Sequence, residues 1–109
     1  METIVIQWFV YEGREDEMKR PTLSPSTTPG FLDEQLFREP SVLDGVLRFV
    51  NIGHWVSREA FYQAFPHARP GELQVVEEYE AGPRVRGWLE TIPYETSGFG
   101  PDPDDPRPG

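Results

Sequence analysis

The sequence predicts a small α+β domain of the split βαβ, ferredoxin-like class, ordered β-α-β-β-α-β around a four-stranded antiparallel sheet. Three observations predict it. Residues 3–11 (TIVIQWFVY) and 46–55 (VLRFVNIGHW) are β-branched and aromatic runs too short for most helices. Ser57 can cap a helix whose apolar stripe is Ala60, Phe61, Ala64 and Phe65, and Pro66 ends it. Two more strand-like runs, 31–39 and 73–80, complete the order.

Taken in chain order, the first strand is apolar on both faces. Ile4, Ile6, Trp8 and Val10 share one, and Val5, Phe9 and Tyr11 dominate the other, so an inner strand covered on both sides is expected. Residues 14–20 (REDEMKR) begin like a helix, with acids first and bases last to suit the helix dipole. Pro21 stops it, leaving only Met18 and Leu23 to anchor a short element. Pro21, Pro25 and Pro29 with a Ser/Thr run predict a mobile loop over 21–29 that gates a neighbouring pocket. The third strand then puts Leu47, Phe49, Asn51, Gly53 and Trp55 on one face. From Gly82 onward 11 of 28 residues are Gly or Pro, too many for regular elements. Trp88, Leu89, Ile92 and Tyr94 are nonetheless too apolar for a free linker. The expected division is a domain over 1–81, and over 82–109 an arm docked on a surface (83–99) followed by a solvated acidic tail.

Composition narrows the function. There are 19 acidic and 10 basic residues, a formal charge of −9, which opposes phosphate binding and excludes a nucleic-acid or anionic-membrane partner. No cysteine is present, so thiolate chemistry, disulfides and Cys-metal sites are excluded. No apolar run approaches the roughly 18 residues that span a bilayer. The N-terminus shows no basic leader or cleavage site, and a cytoplasmic location is expected by elimination. A domain of 109 residues buries a limited core, which makes a homodimer a natural way to hide more apolar surface.

The run PGF at 29–31 and the run RFVNIGHWVSREAF at 48–61 resemble the antibiotic biosynthesis monooxygenase domain. Its recurring features are a PGF-type start to the second strand, an Asn four residues before a Trp, then a Ser and an acidic-Ala-aromatic helix start. They stand here as Asn51, Trp55, Ser57 and Glu59-Ala60-Phe61. The resemblance covers about residues 2–80. It implies a dimeric α/β barrel, two four-stranded sheets packed face to face, with a pocket in each protomer between sheet and helices. Quinone-forming members oxidise aromatic polyketides with O₂ and no metal, flavin or haem. Their substrate ionises readily to an electron-rich anion, which passes an electron to oxygen. The protein orients it, excludes water and aims hydrogen-bond donors at developing charge. The Asn51 amide and the Trp55 indole N–H are suitable donors.

The sequence also departs from the family. Phe61 stands where actinorhodin-type oxygenases place a Tyr, with Tyr62 one step round, and Phe37 corresponds to their second-strand His. Arg69, in the shortened HARPG segment, is a loose counterpart of their Arg. Ile6 or Gln7 and Phe65 fall where haem degraders carry an Asn and a His, which weakens a haem reading most.

The candidate catalytic residues are therefore Asn51 and Trp55, with Tyr62 as proton carrier, and the candidate substrate-binding residues are Trp8, Phe37, Phe49, Phe61 and Phe65. Each has a plainer alternative. Asn51 and Trp55 share strand parity but lie roughly 13 Å apart along the strand. They either line opposite ends of one pocket, or Trp55 packs the strand–helix corner while Asn51 satisfies backbone. Tyr62 beside an apolar stripe is also a packing residue. His54 points to the other face, toward solvent or a dimer contact, and His67 follows a helix end at the surface. Two unclustered histidines make no metal site. Glu77 and Glu78 alternate across a strand as a solvated face, and Asp102, Asp104 and Asp105 form a charged tail. The leading expectation is a cofactor-independent monooxygenase-like enzyme on an aromatic or polyketide-like substrate. The alternatives are a non-catalytic ligand-binding or accessory protein, and an isomerase or cyclase using the same pocket without O₂.

Overall fold

A computed structural model describes residues 1–18, 20–40 and 43–93. It is an α+β, ferredoxin-like fold. Strands β1 (Glu2–Tyr11), β2 (Phe31–Arg38), β3 (Val46–Trp55) and β4 (Val85–Leu89) form one antiparallel sheet in the order β2-β3-β1-β4. The helix α1 (Arg58–Ala64) lies between β3 and β4 in sequence. The Ser57 hydroxyl accepts from the Ala60 amide at 3.1 Å, the cap expected for a backbone leaving a strand.

One face of the sheet is the core. Trp8, Val10, Leu47 and Phe49 pack with Tyr79 in one cluster, and Ile4, Phe31, Trp55 and Phe61 form the other beneath α1. Phe31, Phe61 and Phe65 stand edge-on to the Trp55 ring at centroid distances of 5.2, 5.4 and 6.1 Å. Edge-to-face pairs set the positive ring edge on the negative face, so geometry as well as area is used. The opposite face carries half-buried Val5, Phe9, Val50 and Ile52, and no helix of the described residues packs on it.

Gly30 explains why PGF and EAF occur together. Its φ is +84°, and a Cβ there would lie 2.4 Å from the Ala60 Cβ and 3.0 Å from Val56 Cγ2. The start of β2 therefore crosses α1 at a distance only a glycine–alanine pair permits.

Two elements differ from expectation. The helix expected over 14–20 is a single 3₁₀ turn, Glu15–Glu17, with no buried residue. Arg14 donates to the Glu78 carbonyl at 3.0 Å and to the Glu17 carboxylate, which holds a turn without needing an apolar stripe. The fourth strand is Val85–Leu89 and not 73–80, so the sheet runs past the boundary expected at residue 81. Val75 and Val76, β-branched as strand formers should be, stay 69% and 47% exposed. Tyr79 and Glu80 alone are buried there, with Glu80 making an isolated bridge to Val10. β1 thus takes its short contact from Glu80 near one end and full pairing along Thr3–Gln7 from β4. That register aims Trp88 at α1, against Phe61 and Tyr62. Tyr94 and the acidic tail lie outside the described residues.

Candidate functional site

Between the core face and α1 lies a cavity of about 280 Å³. Ile4, Ile6 and Trp8 of β1 and Asn51 and Trp55 of β3 make its floor, because alternate residues of a strand share a face. Phe61 and Ala64 of α1 and Phe65 at its C-terminal cap close it above, and Pro21 and Leu23 of the loop before β2 lie at its side. Arg20 and Glu34 stand at one end, Arg84 and Arg86 at the other.

Asn51 and Trp55 come together more closely than strand spacing suggests. Asn51 Oδ1 and Trp55 Nε1 each lie 3.5 Å from the point a Cβ on Gly53 would occupy, with Ile4 Cγ2 at 3.6 Å. The missing side chain leaves a notch, and the polar atoms of its two neighbours lean over it. Asn51 is 3% exposed, so its polar groups need partners. Its Nδ2 donates to Glu34 Oε2 at 3.1 Å, and Arg20 donates to Glu34 Oε1 at 2.8 Å. An ionised carboxylate only accepts, so it fixes which way the amide faces: nitrogen to Glu34, oxygen to the notch. Glu34 thereby engages one of the two Nδ2 hydrogens of Asn51, and the amide atom beside Gly53 is the acceptor, where the expectation from sequence is the donor. The notch offers one acceptor, Asn51 Oδ1, and one donor, the Trp55 indole N–H. A hydroxyl group is the complement of that pair.

The other expected residues divide. Phe61, Phe65 and Trp8 line the cavity. Phe49 does not: it shares the face but packs into the neighbouring cluster against Trp8. Phe37 also does not, and is 44% exposed. The cause is a bulge between Phe31 and Asp33, after which Glu34 pairs with Gly53, Leu36 with Asn51 and Phe37 with Val50. One extra residue transfers every later side chain to the other face, which takes Phe37 away and brings Glu34 in. Simple alternation from Phe31 had no means of finding Glu34.

Tyr62 is not brought to Asn51 and Trp55. Its hydroxyl accepts from Trp88 Nε1 at 2.9 Å, and the Arg69 guanidinium lies 5.3 Å from its ring centroid. It lines a second cavity of about 310 Å³, between α1, the 68–74 segment and β4. His67, expected at the surface, is exposed and reaches the rim of the first cavity. His54 points to the opposite face, where it pairs with Asp33.

The guanidinium groups around the cavities are mostly neutralised. Glu80, fully buried, holds Arg84 at 3.1 Å, and Arg84 lies 5.8 Å from the Trp8 ring centroid. Glu59 holds Arg69 at 2.7 Å. Arg86 instead donates to the neutral Gln74 Oε1 at 2.9 Å. Burial, with Arg84 beside it, lowers the Arg86 pKa from the ordinary arginine value. Among the described residues no three His, Cys, Asp or Glu side chains converge as metal ligands, and no helix is long and apolar enough to cross a membrane.

The fold has a counterpart among solved structures. A Bacillus cereus protein provisionally assigned as an antibiotic biosynthesis monooxygenase has the same fold, at a TM-score of 0.52 and 16% identity. The similarity covers 87% of this chain and 96% of that one. No family model matches the sequence, and no curated protein matches it significantly.

Proposed function

We propose that this chain is a cofactor-independent monooxygenase-like enzyme that acts on a hydroxylated aromatic, polyketide-like molecule bound in the first cavity. The observation that carries the reading is that Asn51 Oδ1 and Trp55 Nε1 flank Gly53 and belong to two residues lining a cavity that is aromatic and aliphatic at its centre, with charged side chains at its ends and rim. Apolar walls with a few converging polar atoms are the usual make-up of a small-molecule site. A ligand hydroxyl donates to Asn51 and accepts from Trp55, and the aromatic walls fix its ring. As negative charge develops on that oxygen, the Trp55 N–H remains a matched donor. For an anthrone-type substrate the net reaction turns a ring methylene into a carbonyl, with one O₂ consumed and one water released. The acidic substrate loses its first proton to solvent water, since Glu34 is committed to Arg20 and Asn51, and that proton is recovered in the water released. The uncovered apolar sheet face favours a homodimer, with the site of each protomer on the far side of the interface.

A second reading, a ligand-binding protein or an isomerase or cyclase of the same fold, is favoured by the position of Tyr62, whose hydroxyl serves Trp88 and not the notch. Oxygen uptake with an anthrone-type substrate separates the two. The enzyme reading expects stoichiometric uptake and a quinone product; tight binding without uptake or product supports the second.

A further inference from the structure

We propose that Arg86 is an anion subsite, receiving a carboxylate on a ligand whose ring and hydroxyl occupy the first cavity. The inference rests on the reading of that cavity given above and adds a charge to the ligand. Arg86 pairs with Ile6 on β4 and shares its face, and with Arg84 it lines both cavities, so the two guanidinium groups form the wall between them. The other three arginines lining these cavities are held by carboxylates: Arg20 by Glu34 at 2.8 Å, Arg84 by Glu80 at 3.1 Å and Arg69 by Glu59 at 2.7 Å. Arg86 has no acidic partner among the described residues and uses Nη1 on Gln74.

A half-buried cation that has lost hydration and has no directly paired carboxylate, only the field of Glu80 that Arg84 already shares, is costly, and an arriving anion recovers that cost. The desolvation is seen in the lowered Arg86 pKa, with Arg84 adding repulsion. The rest of the guanidinium fork suits a planar carboxylate. The local charge also runs against the whole chain, whose −9 repels anions at long range. The positive character of this seam rests on Arg86, since the charge of Arg84 is matched by Glu80. The ligand class that follows is a hydroxylated aromatic acid, its hydroxyl over Gly53 and its carboxylate at Arg86.

The test titrates 2-naphthol and 6-hydroxy-2-naphthoate, which differ by the carboxylate, into the full-length protein, Arg86→Gln and Arg86→Lys, by calorimetry. The wild type should bind the naphthoate on the order of tenfold more tightly than the naphthol, the return on one charge-assisted hydrogen bond. In Arg86→Gln the ratio of affinities should fall close to one, and Arg86→Lys should restore part of it. If the wild type binds both probes alike, or the preference survives Arg86→Gln, the Arg86 assignment is overturned and the cavity reading stands. If neither probe binds the wild type, the cavity reading fails and the subsite with it.

Discussion

The middle and the end of this chain are built on different information. Residues 46–65 carry their structure locally: alternation sets the faces of β3, Ser57 caps α1, and a stripe of aromatics buries the helix. Residues 70–89 do not. There the segment with stronger strand character, around Val75 and Val76, is left irregular, and the less obvious VRGWL becomes β4. An edge strand is chosen by what it places against neighbours distant in sequence, here Trp88 against α1 and Arg86 over Ile6. Intrinsic propensity is too small a term to decide that choice.

Substitutions can break this comparison. The largest effect is expected where the local motifs touch. Gly30→Ala combines a positive φ with a 2.4 Å approach to Ala60, and should destabilise by about 3 kcal/mol or more. Thermal unfolding checks it, and adding Ala60→Gly should recover the part owed to the clash but not the part owed to φ. Next, Trp88→Ala should cost about 2–3 kcal/mol, because the ring packs on Phe61 and Tyr62 and donates to the Tyr62 hydroxyl. The smallest effect belongs to Val75→Ser and Val76→Ser, each within about 0.5 kcal/mol in urea unfolding. If the two valine variants cost as much as Trp88→Ala, the sheet edge is assigned to the wrong segment.

Much of the fold was legible because hydrophobic period and capping are local signals. The face of β3 that carries Asn51 and Trp55 followed from parity alone. Their convergence did not, since it depends on the space left by Gly53, and an absent side chain makes no pattern. Glu34 was hidden by a bulge, which alternation does not announce, and the same bulge removed Phe37. Phe49 had the right parity and the wrong neighbour: Trp8 and Leu47 draw it into the other cluster. Tyr62 required the position of Trp88, which required β4. Each miss is a long-range choice of partner, the kind of information a linear reading lacks.

The central claim is that the notch over Gly53 recognises a ligand hydroxyl. Gly53→Ala tests it most directly, because the added methyl meets its neighbours at 3.5 Å and 3.6 Å, ordinary contact distances, so the fold should hold while the notch is filled. The measurement is the dissociation constant of 2-naphthol, read by tryptophan fluorescence quenching, for wild type and Gly53→Ala proteins of matched thermal stability. Losing both hydrogen bonds to the hydroxyl should weaken binding by about tenfold or more. An affinity equal to wild type would contradict the account and return Asn51 and Trp55 to packing roles.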